Sequence, residues 1–306
     1  MTKNTEKIAC VVVTYNRLAL LKECISGLKN QTKNDFDIIV VDNGSNDGTG
    51  EWLSEQPDLI VISQGNYGGA GGFYSGTKYA YDNGYEWILM MDDDGMPDKN
   101  LLINLLQGAK EQDAYLVNAL VCDKDDNEKL AFGLVHNSDV LRTVQSAQQY
   151  SVIPYSIAPF NGTLINRCII DKVGLIKKEM FIWGDEVEYV SRISKAGFKR
   201  FTITNALHYH PKARNTYLRV LPFSDKFMIQ KPSKERAPIV YRNMGYNCRY
   251  GRLRGLLWIS LMYSVYHLIR LDFVGLCVFW KYFIHGLNNK YPEVDIKINN
   301  IKEKQL

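Results

Sequence analysis

The first 220 residues of this 306-residue chain are predicted to form an α/β domain, a mostly parallel sheet with helices on both faces. Residues 221–306 are predicted to form an amphipathic helical region. Three observations predict this. Short apolar, β-branched runs alternate with helix-like segments through about two hundred residues. A polar cluster lies after each of the first four runs. Charge and aromatic content then change abruptly in the C-terminal third.

The first run, "IACVVV" (8–13), has no polar residue, which suits a strand buried on both faces of a parallel sheet. Leu18, Leu21, Ile25 and Leu28 then recur at helical spacing and give a crossover helix. "IIVV" (38–41) and "LIVI" (59–62) are the next two strands, and the glycine-rich "NYGGAGGF" leads into a helix around Gly72 to Tyr81. "WILMM" (87–91) is the fourth strand, and a helix is expected from about Asp185 to Ala196. Right-handed strand–helix–strand units place ligands at the carboxyl ends of the strands. "TYNR", "DNGSNDGT", "NYGGAGGF" and "DDDG" all fall at those ends.

The fourth run ends in Asp92, Asp93 and Asp94. Adjacent carboxylates repel and cannot be buried without partners. A solvated turn accounts for the composition alone. A divalent cation holding a phosphate-bearing ligand also accounts for four polar clusters converging on one rim.

A hydrophobic content of 46% and a formal charge of +4 suit one large or two modest domains. Six scattered cysteines without a CxxC pair point to reduced, mostly buried thiols, not to disulfides or a zinc site. The opening "MTKNTEKIAC" has no signal-like apolar segment, so a cytoplasmic location is expected. From Lys234 to Lys290 there are nine Lys or Arg and two acids, Glu235 and Asp272, interleaved with aromatics. The uncharged run 255–269 has 15 residues, short of the roughly 20 a spanning helix needs. Helices lying on a membrane surface fit this pattern, as does packing on the first domain or in a homo-oligomer. Nucleic acid is a poor partner, because the cations mix with apolar helices instead of forming a polar stripe.

"VVVTYNR", "VVDNGSNDGT", "MMDDDGMP" and "FIWGDEVEYVSRISKAGF" stand in the order and approximate spacing of the inverting family 2 glycosyltransferases of the GT-A (Rossmann-like) fold. The chain resembles that family over roughly residues 7–215. "NYGGAGGF" resembles the glycine-rich segment of bacterial galactofuranosyltransferases and related rhamnosyltransferases.

The resemblance implies a nucleotide-sugar-binding sheet and a set of site residues. Asp94 would ligate Mn²⁺ or Mg²⁺, with Asp92 and Asp93 serving the nucleotide and the metal's outer shell. A histidine ligand follows from "NALHYHP", where spacing favours His210 and leaves His208 as the alternative. Thr14, Tyr15 and Arg17 would hold the base and diphosphate, Asp42 the uracil or thymine imide, and Asn43 and Ser45 would shape its loop. Asn66, Gly68, Gly69, Gly71 and Gly72 would bring backbone close to the donor, and Trp183 would stack on a sugar. Aligned through Tyr189, the base that deprotonates the acceptor falls on Glu186. Asp185 and Glu188 are the other candidates in that stretch. "PIVYRNMGYNCRY" resembles a family segment that follows the catalytic domain, in which Arg242 and Asn243 either help close the site or pack a helix.

The implied reaction moves galactofuranose from UDP-galactofuranose, or second rhamnose from dTDP-rhamnose, onto a glycan. A lipid-linked acceptor at the cytoplasmic face of the inner membrane, in cell-surface polysaccharide synthesis, is the expected setting. A metal-dependent nucleotidyltransferase would share the acidic cluster but has no use for an acceptor base. A noncatalytic sugar-binding module would not need acids at every motif position.

Overall fold

The computed structural model describes residues 6–212, 217–251 and 253–292. The chain divides into two compact units, Met1–Phe181 with Asp185–Arg214, and Ile182–Gly184 with Asn215–Leu306. The boundary expected at 220/221 therefore has its counterpart at 214/215, outside the described residues, and the second unit also claims the three residues before Asp185.

In the first unit β1 (Ile8–Thr14), α1 (Leu18–Lys29), β2 (Asp37–Asp42), α2 (Thr49–Ser54), β3 (Leu59–Ser63), α3 (Gly68–Asp82) and β4 (Trp87–Asp92) alternate as predicted. There follow β5 (Met96–Pro97), α4 (Leu101–Glu111), β6 (Leu116–Asp123), β7 (Lys129–His136), β8 (Asp139–Thr143), α5 (Val144–Gln148), β9 (Val152–Pro154), β10 (Thr163–Asn166), α6 (Arg167–Val173), α7 (Asp185–Lys195) and β11 (Phe201–His210). The sheet runs β3-β2-β1-β4-β10-β6-β11-β5, with β10 and β5 antiparallel to their neighbours. Chain order reverses between β1 and β4, the switch point where such sheets bind ligands.

Strand alternation builds both cores. Ile8, Cys10 and Val12 face Leu21, Leu28, Leu101 and Leu105 on one side. Ala9, Val11 and Val13 face Phe73, Ile169, Tyr189 and Ile193 on the other. Helices thus cover both faces.

Helix α3 begins four residues earlier than expected, with the glycines inside it. Intrinsic propensity argues against that, since each mid-helix glycine costs about 0.5–1 kcal/mol relative to alanine. Close packing decides otherwise. A Cβ on Gly72 would come within 2.3 Å of Val13, and one on Gly76 within 2.3 Å of Val11. Only a helix without side chains on this face can lie so near β1.

Strand β11 carries a bulge. Ile203 pairs with Ala119 and Leu207 with Leu120, so three residues intervene on β11 and none on β6. The bulge re-aims the end of the strand that carries His208 and His210.

The second unit comprises β12 (Tyr217–Arg219), β13 (Met228–Gln230), α8 (Ala237–Asn247), α9 (Leu253–Ile269) and α10 (Phe273–Leu287). Tyr241, Tyr263, Phe279 and Phe283 form its aromatic centre. Asn243 donates to the Ile182 and Trp183 carbonyls at 2.9 and 2.8 Å, and Asn247 to that of Gly184 at 2.8 Å. These bonds hold a segment in which Trp183 and Gly184 both take positive φ. The Asn243 side chain is thus committed to the segment that precedes Asp185. Arg242 is buried and sets its guanidinium 4.7 Å over the Tyr291 ring. The helices are less amphipathic than expected. Helix α9 has no charged face, and it buries Tyr263 and Tyr266 while exposing Leu257 and Leu261. No described helix is long and apolar enough to cross a membrane. Among the cysteines, Cys10, Cys24 and Cys122 are buried thiols, whereas Cys277 is exposed.

Candidate active site

The three aspartates at the end of β4 and in the turn after it take different partners. Asp93 points inward, is 3% exposed, and accepts from Thr14 Oγ1 at 2.7 Å and Arg17 Nη1 at 3.2 Å. It ties the ends of β1 and β4 together across the switch point. Asp92 and Asp94 meet His210. One ligand atom from each lies within 4.8 Å of the others. His210 Nδ1 sits 2.6 Å from the Pro211 carbonyl, and this fixes the ring and aims Nε2 at Asp94 Oδ1, 3.1 Å away.

The electrostatics are those of crowded, buried carboxylates. Burial, then the Asp94 charge, pushes the Asp92 carboxyl up to about 7. Burial, opposed in part by the Arg17 charge, raises Asp93 to about 6. Burial also works against ionising Asp94, but the His210 contact and the charges of His210 and Arg17 outweigh it and hold this carboxyl below the ordinary range. For His210 the same burial is outweighed by Asp94, and its imidazole is raised. Two carboxylates and an imidazole suit Mn²⁺ or Mg²⁺. The residues fit a divalent ion.

Two expectations are corrected here. His208 lies outside the cluster. It is fully buried, and burial and the nearby His210 charge press its pKa down to about 3, so the ring stays neutral. It packs under the acidic turn so closely that a Cβ on Gly95 would come 2.3 Å from its Nε2. Asp92, expected to serve the nucleotide and the metal's outer shell, lies in the metal-capable set itself.

The nucleotide end divides the same way. Thr14 is buried with its hydroxyl committed to Asp93, and Arg17 also reaches Asp94 at 2.9 Å. Asp42 Oδ1 accepts from the Ser45 amide and hydroxyl at 3.0 and 2.6 Å, so Oδ2 lies outside these bonds. Asn43 is buried and locked between Gln64 (2.7 Å) and the Gly68 carbonyl (3.1 Å), so its amide serves the fold. Tyr15 is half-buried at the end of β1. Ser45, expected to shape the loop after β2, and Asn16, absent from the expected set, cross-link the loops after β1 and β2.

Among the glycine-loop residues, Asn66 accepts from the Gly68 amide at 2.9 Å. Gly68 is left-handed (φ +69°), and a Cβ there would meet the Phe181 carbonyl at 2.1 Å. A Cβ on Gly71 would strike Tyr67 at 2.4 Å. Gly69 alone in this motif has nothing within 4 Å.

Helix α7 opens on Asp185, Glu186 and Glu188 and closes with Arg192 and Lys195, which matches the helix dipole at both ends. Glu188 is not a site residue: it is 1% exposed and paired with Arg192 at 2.9 and 2.8 Å. Asp185 is buried, and burial followed by the Glu186 charge raises it well above the carboxylate range, with a further push from Asp92. The Asp185 carboxyl thus lies close enough to the metal-capable cluster to feel the Asp92 charge. Trp183 belongs to the second unit, where the Arg236 guanidinium covers one face of its indole at 4.7 Å.

The glycosyl transferase family 2 model matches residues 9–180. Galactofuranosyltransferase GlfT1 of Mycolicibacterium smegmatis is 34% identical over 89% of this chain and 94% of its own length. The dTDP-rhamnosyl transferase RfbF of Shigella flexneri is 23% identical over 62% of this chain and 64% of its own. Among solved structures, GalNAc-T7 with UDP, GalNAc and Mn²⁺ superposes with a TM-score of 0.60 at 14% identity, covering 95% of this chain and 59% of the other. The acids at the strand ends thus stand within a family match that spans more than half of the sequence, and the chain belongs to glycosyl transferase family 2.

Proposed function

We propose that this glycosyltransferase moves galactofuranose from UDP-galactofuranose onto a glycan with inversion at the anomeric carbon. The observation that carries the reading is an Asp185 carboxyl, beside Glu186, close enough to Asp92–Asp94–His210 to feel the Asp92 charge, in a chain 34% identical to a galactofuranosyltransferase. A bound Mn²⁺ or Mg²⁺ would supply Lewis-acid stabilisation for charge developing on the departing diphosphate. Asp92, Asp94 and His210 would hold it, and Arg17, at 35% exposure beside Asp94, is in reach of diphosphate oxygens. Asp42 Oδ2 would accept from the uracil imide.

Glu186 is the base. Burial and the Glu186 charge raise the Asp185 carboxyl well above the ordinary range, which favours its protonated form. Glu186 is the member left to act as base. It takes the proton of the acceptor hydroxyl as that oxygen attacks the anomeric carbon, and the bond to UDP breaks on the opposite side with its electron pair leaving on the phosphate. The basic balance of the C-terminal third supports a lipid-linked acceptor and a peripheral position on the cytoplasmic membrane face.

The weaker likeness to a dTDP-rhamnosyl transferase supports dTDP-rhamnose as the second reading. The test is donor turnover across UDP-galactofuranose, UDP-galactopyranose and dTDP-rhamnose with Mn²⁺, Mg²⁺ or EDTA. Turnover of UDP-galactofuranose, abolished by chelation, is expected. Preference for dTDP-rhamnose would move the donor assignment, and turnover untouched by EDTA would remove the metal from the mechanism.

A further inference from the structure

Helices α9 and α10 carry apolar residues on two sides. Inward, Tyr263, Tyr266, Phe279 and Phe283 build the centre of the second unit. Outward, Leu257, Leu261 and Leu268 repeat along α9, and Phe273, Trp280 and Ile284 along α10, all exposed. Spacings of four and seven keep each set on one helix face. Trp280 donates its indole N–H to Ser264 at 3.1 Å, and Ser264 lies between Leu261 and Leu268 on the outward stripe. The two stripes therefore adjoin.

The turn between the helices extends this face. Leu268, Ile269, Leu271, Phe273 and Val274 are 44–76% exposed. Leu271 protrudes at φ +53°, a conformation that suits glycine or asparagine and disfavours leucine. The turn is firmly built from beneath. Arg270 stacks 4.0 Å over Tyr266 and donates to the Arg219 and Val220 carbonyls. Asp272 accepts from the Gly275 amide at 2.8 Å and lies 2.9 Å from His267 Nδ1. A leucine held outward on a rigid, strained turn has no reward within the described unit.

Charge selects the occupant. Neither helix contains Asp or Glu, and residues 217–292 hold twelve Lys or Arg against three acids. A second copy would bring like charges together, whereas an anionic lipid surface attracts cations and takes up apolar tips. With no described helix able to span, such an element lies in the plane of the interface. We infer that the α9–α10 face, led by the Leu271 turn, docks into the interfacial layer of an anionic lipid surface. The inference deepens the lipid-linked acceptor reading above and uses none of the metal or base residues.

The test is sedimentation of the full chain with phosphatidylcholine vesicles, plain or containing roughly a third phosphatidylglycerol. Wild type should partition onto the anionic vesicles and be weakened by salt. Leu271→Asp with Val274→Asp should lower partitioning roughly 100-fold. Leu257→Ser with Leu261→Ser, at sites where folding makes no demand, should lower it less. Thermal melting and nucleotide-sugar hydrolysis in solution should not change in either variant. Three results would overturn the inference: no partitioning by wild type, equal partitioning by both variants, or a wild-type dimer that the variants dissociate without any lipid binding. Partitioning that begins only once residues 293–306 are removed would also overturn it, since that segment would then be the occupant. Lipid binding without any donor turnover would leave this inference standing and break the proposed transfer reaction instead.

Discussion

The acidic turn after β4 and the glycine-rich start of α3 both look like ligand loops in the sequence, yet the fold uses them in opposite ways. Three of the glycines are explained by the chain itself: Gly68 admits the Phe181 carbonyl, Gly71 clears Tyr67, and Gly72 lets α3 lie on Val13. The outward acids are not explained by the chain. Asp92 and Asp94 crowd together beside His210, one carboxyl raised and the other lowered. Packing can account for a missing side chain, but it gives no reason to crowd buried carboxylates together. The comparison teaches that charge clusters are the stronger functional signal, and that Gly69 alone carries a ligand signal in the glycine motif.

The largest expected effect tests the acidic half. Asp94→Asn should reduce turnover on the order of 10³-fold without lowering the melting temperature, and Glu186→Gln should cost about 10²–10⁴-fold while UDP binding by calorimetry is retained. Normal turnover in Glu186→Gln, with loss in Asp185→Asn, would exchange the two roles. The glycine half predicts a split. Gly72→Ala overpacks α3 against β1 and should destabilise by about 1–3 kcal/mol in urea unfolding. Gly69→Ala should leave stability unchanged and raise the donor KM about tenfold, or 1.4 kcal/mol. A Gly69→Ala variant with unaltered KM would reduce the whole motif to packing.

Asn243→Ala leaves the Ile182 and Trp183 carbonyls without their donor and should cost about 1–3 kcal/mol of stability. The smallest effect is a slope. The Asp185 carboxyl is raised in the fold, so between its unfolded pKa near 4 and its higher folded value the folded state binds more protons. Stability therefore falls as pH rises through that window. Asp185→Asn should remove this contribution and gain more stability at pH 8 than at pH 5 in thermal melts. A gain independent of pH would mean that Asp185 ionises normally.

Much of this was legible. Four apolar runs placed β1 to β4 within a residue or so at each end, because parallel strands buried on both faces leave an unbroken apolar signature. The start of α3 was misread because glycine opposes helix locally, and only its contact with β1, distant in sequence, overrides that. The bulge in β11 was invisible, since pairing with β6 depends on residues some eighty positions away. His208 and His210 looked equivalent on an alternating strand. What separates them is depth: one lies beneath Gly95 and the other at the rim. Glu188 looked like a third acid of the site until the fold supplied Arg192 one helical turn on, a pairing that i,i+4 spacing could have suggested.

The most direct measurement is Mn²⁺ binding to the full chain in the presence of UDP, followed by electron paramagnetic resonance for wild type, Asp94→Asn and His210→Ala. Saturable binding at one site by wild type, weakened at least tenfold in both variants (about 1.4 kcal/mol), is the predicted result. Wild-type binding reproduced by both variants would mean that the metal sits elsewhere and that the acidic rim is not the seat of transfer.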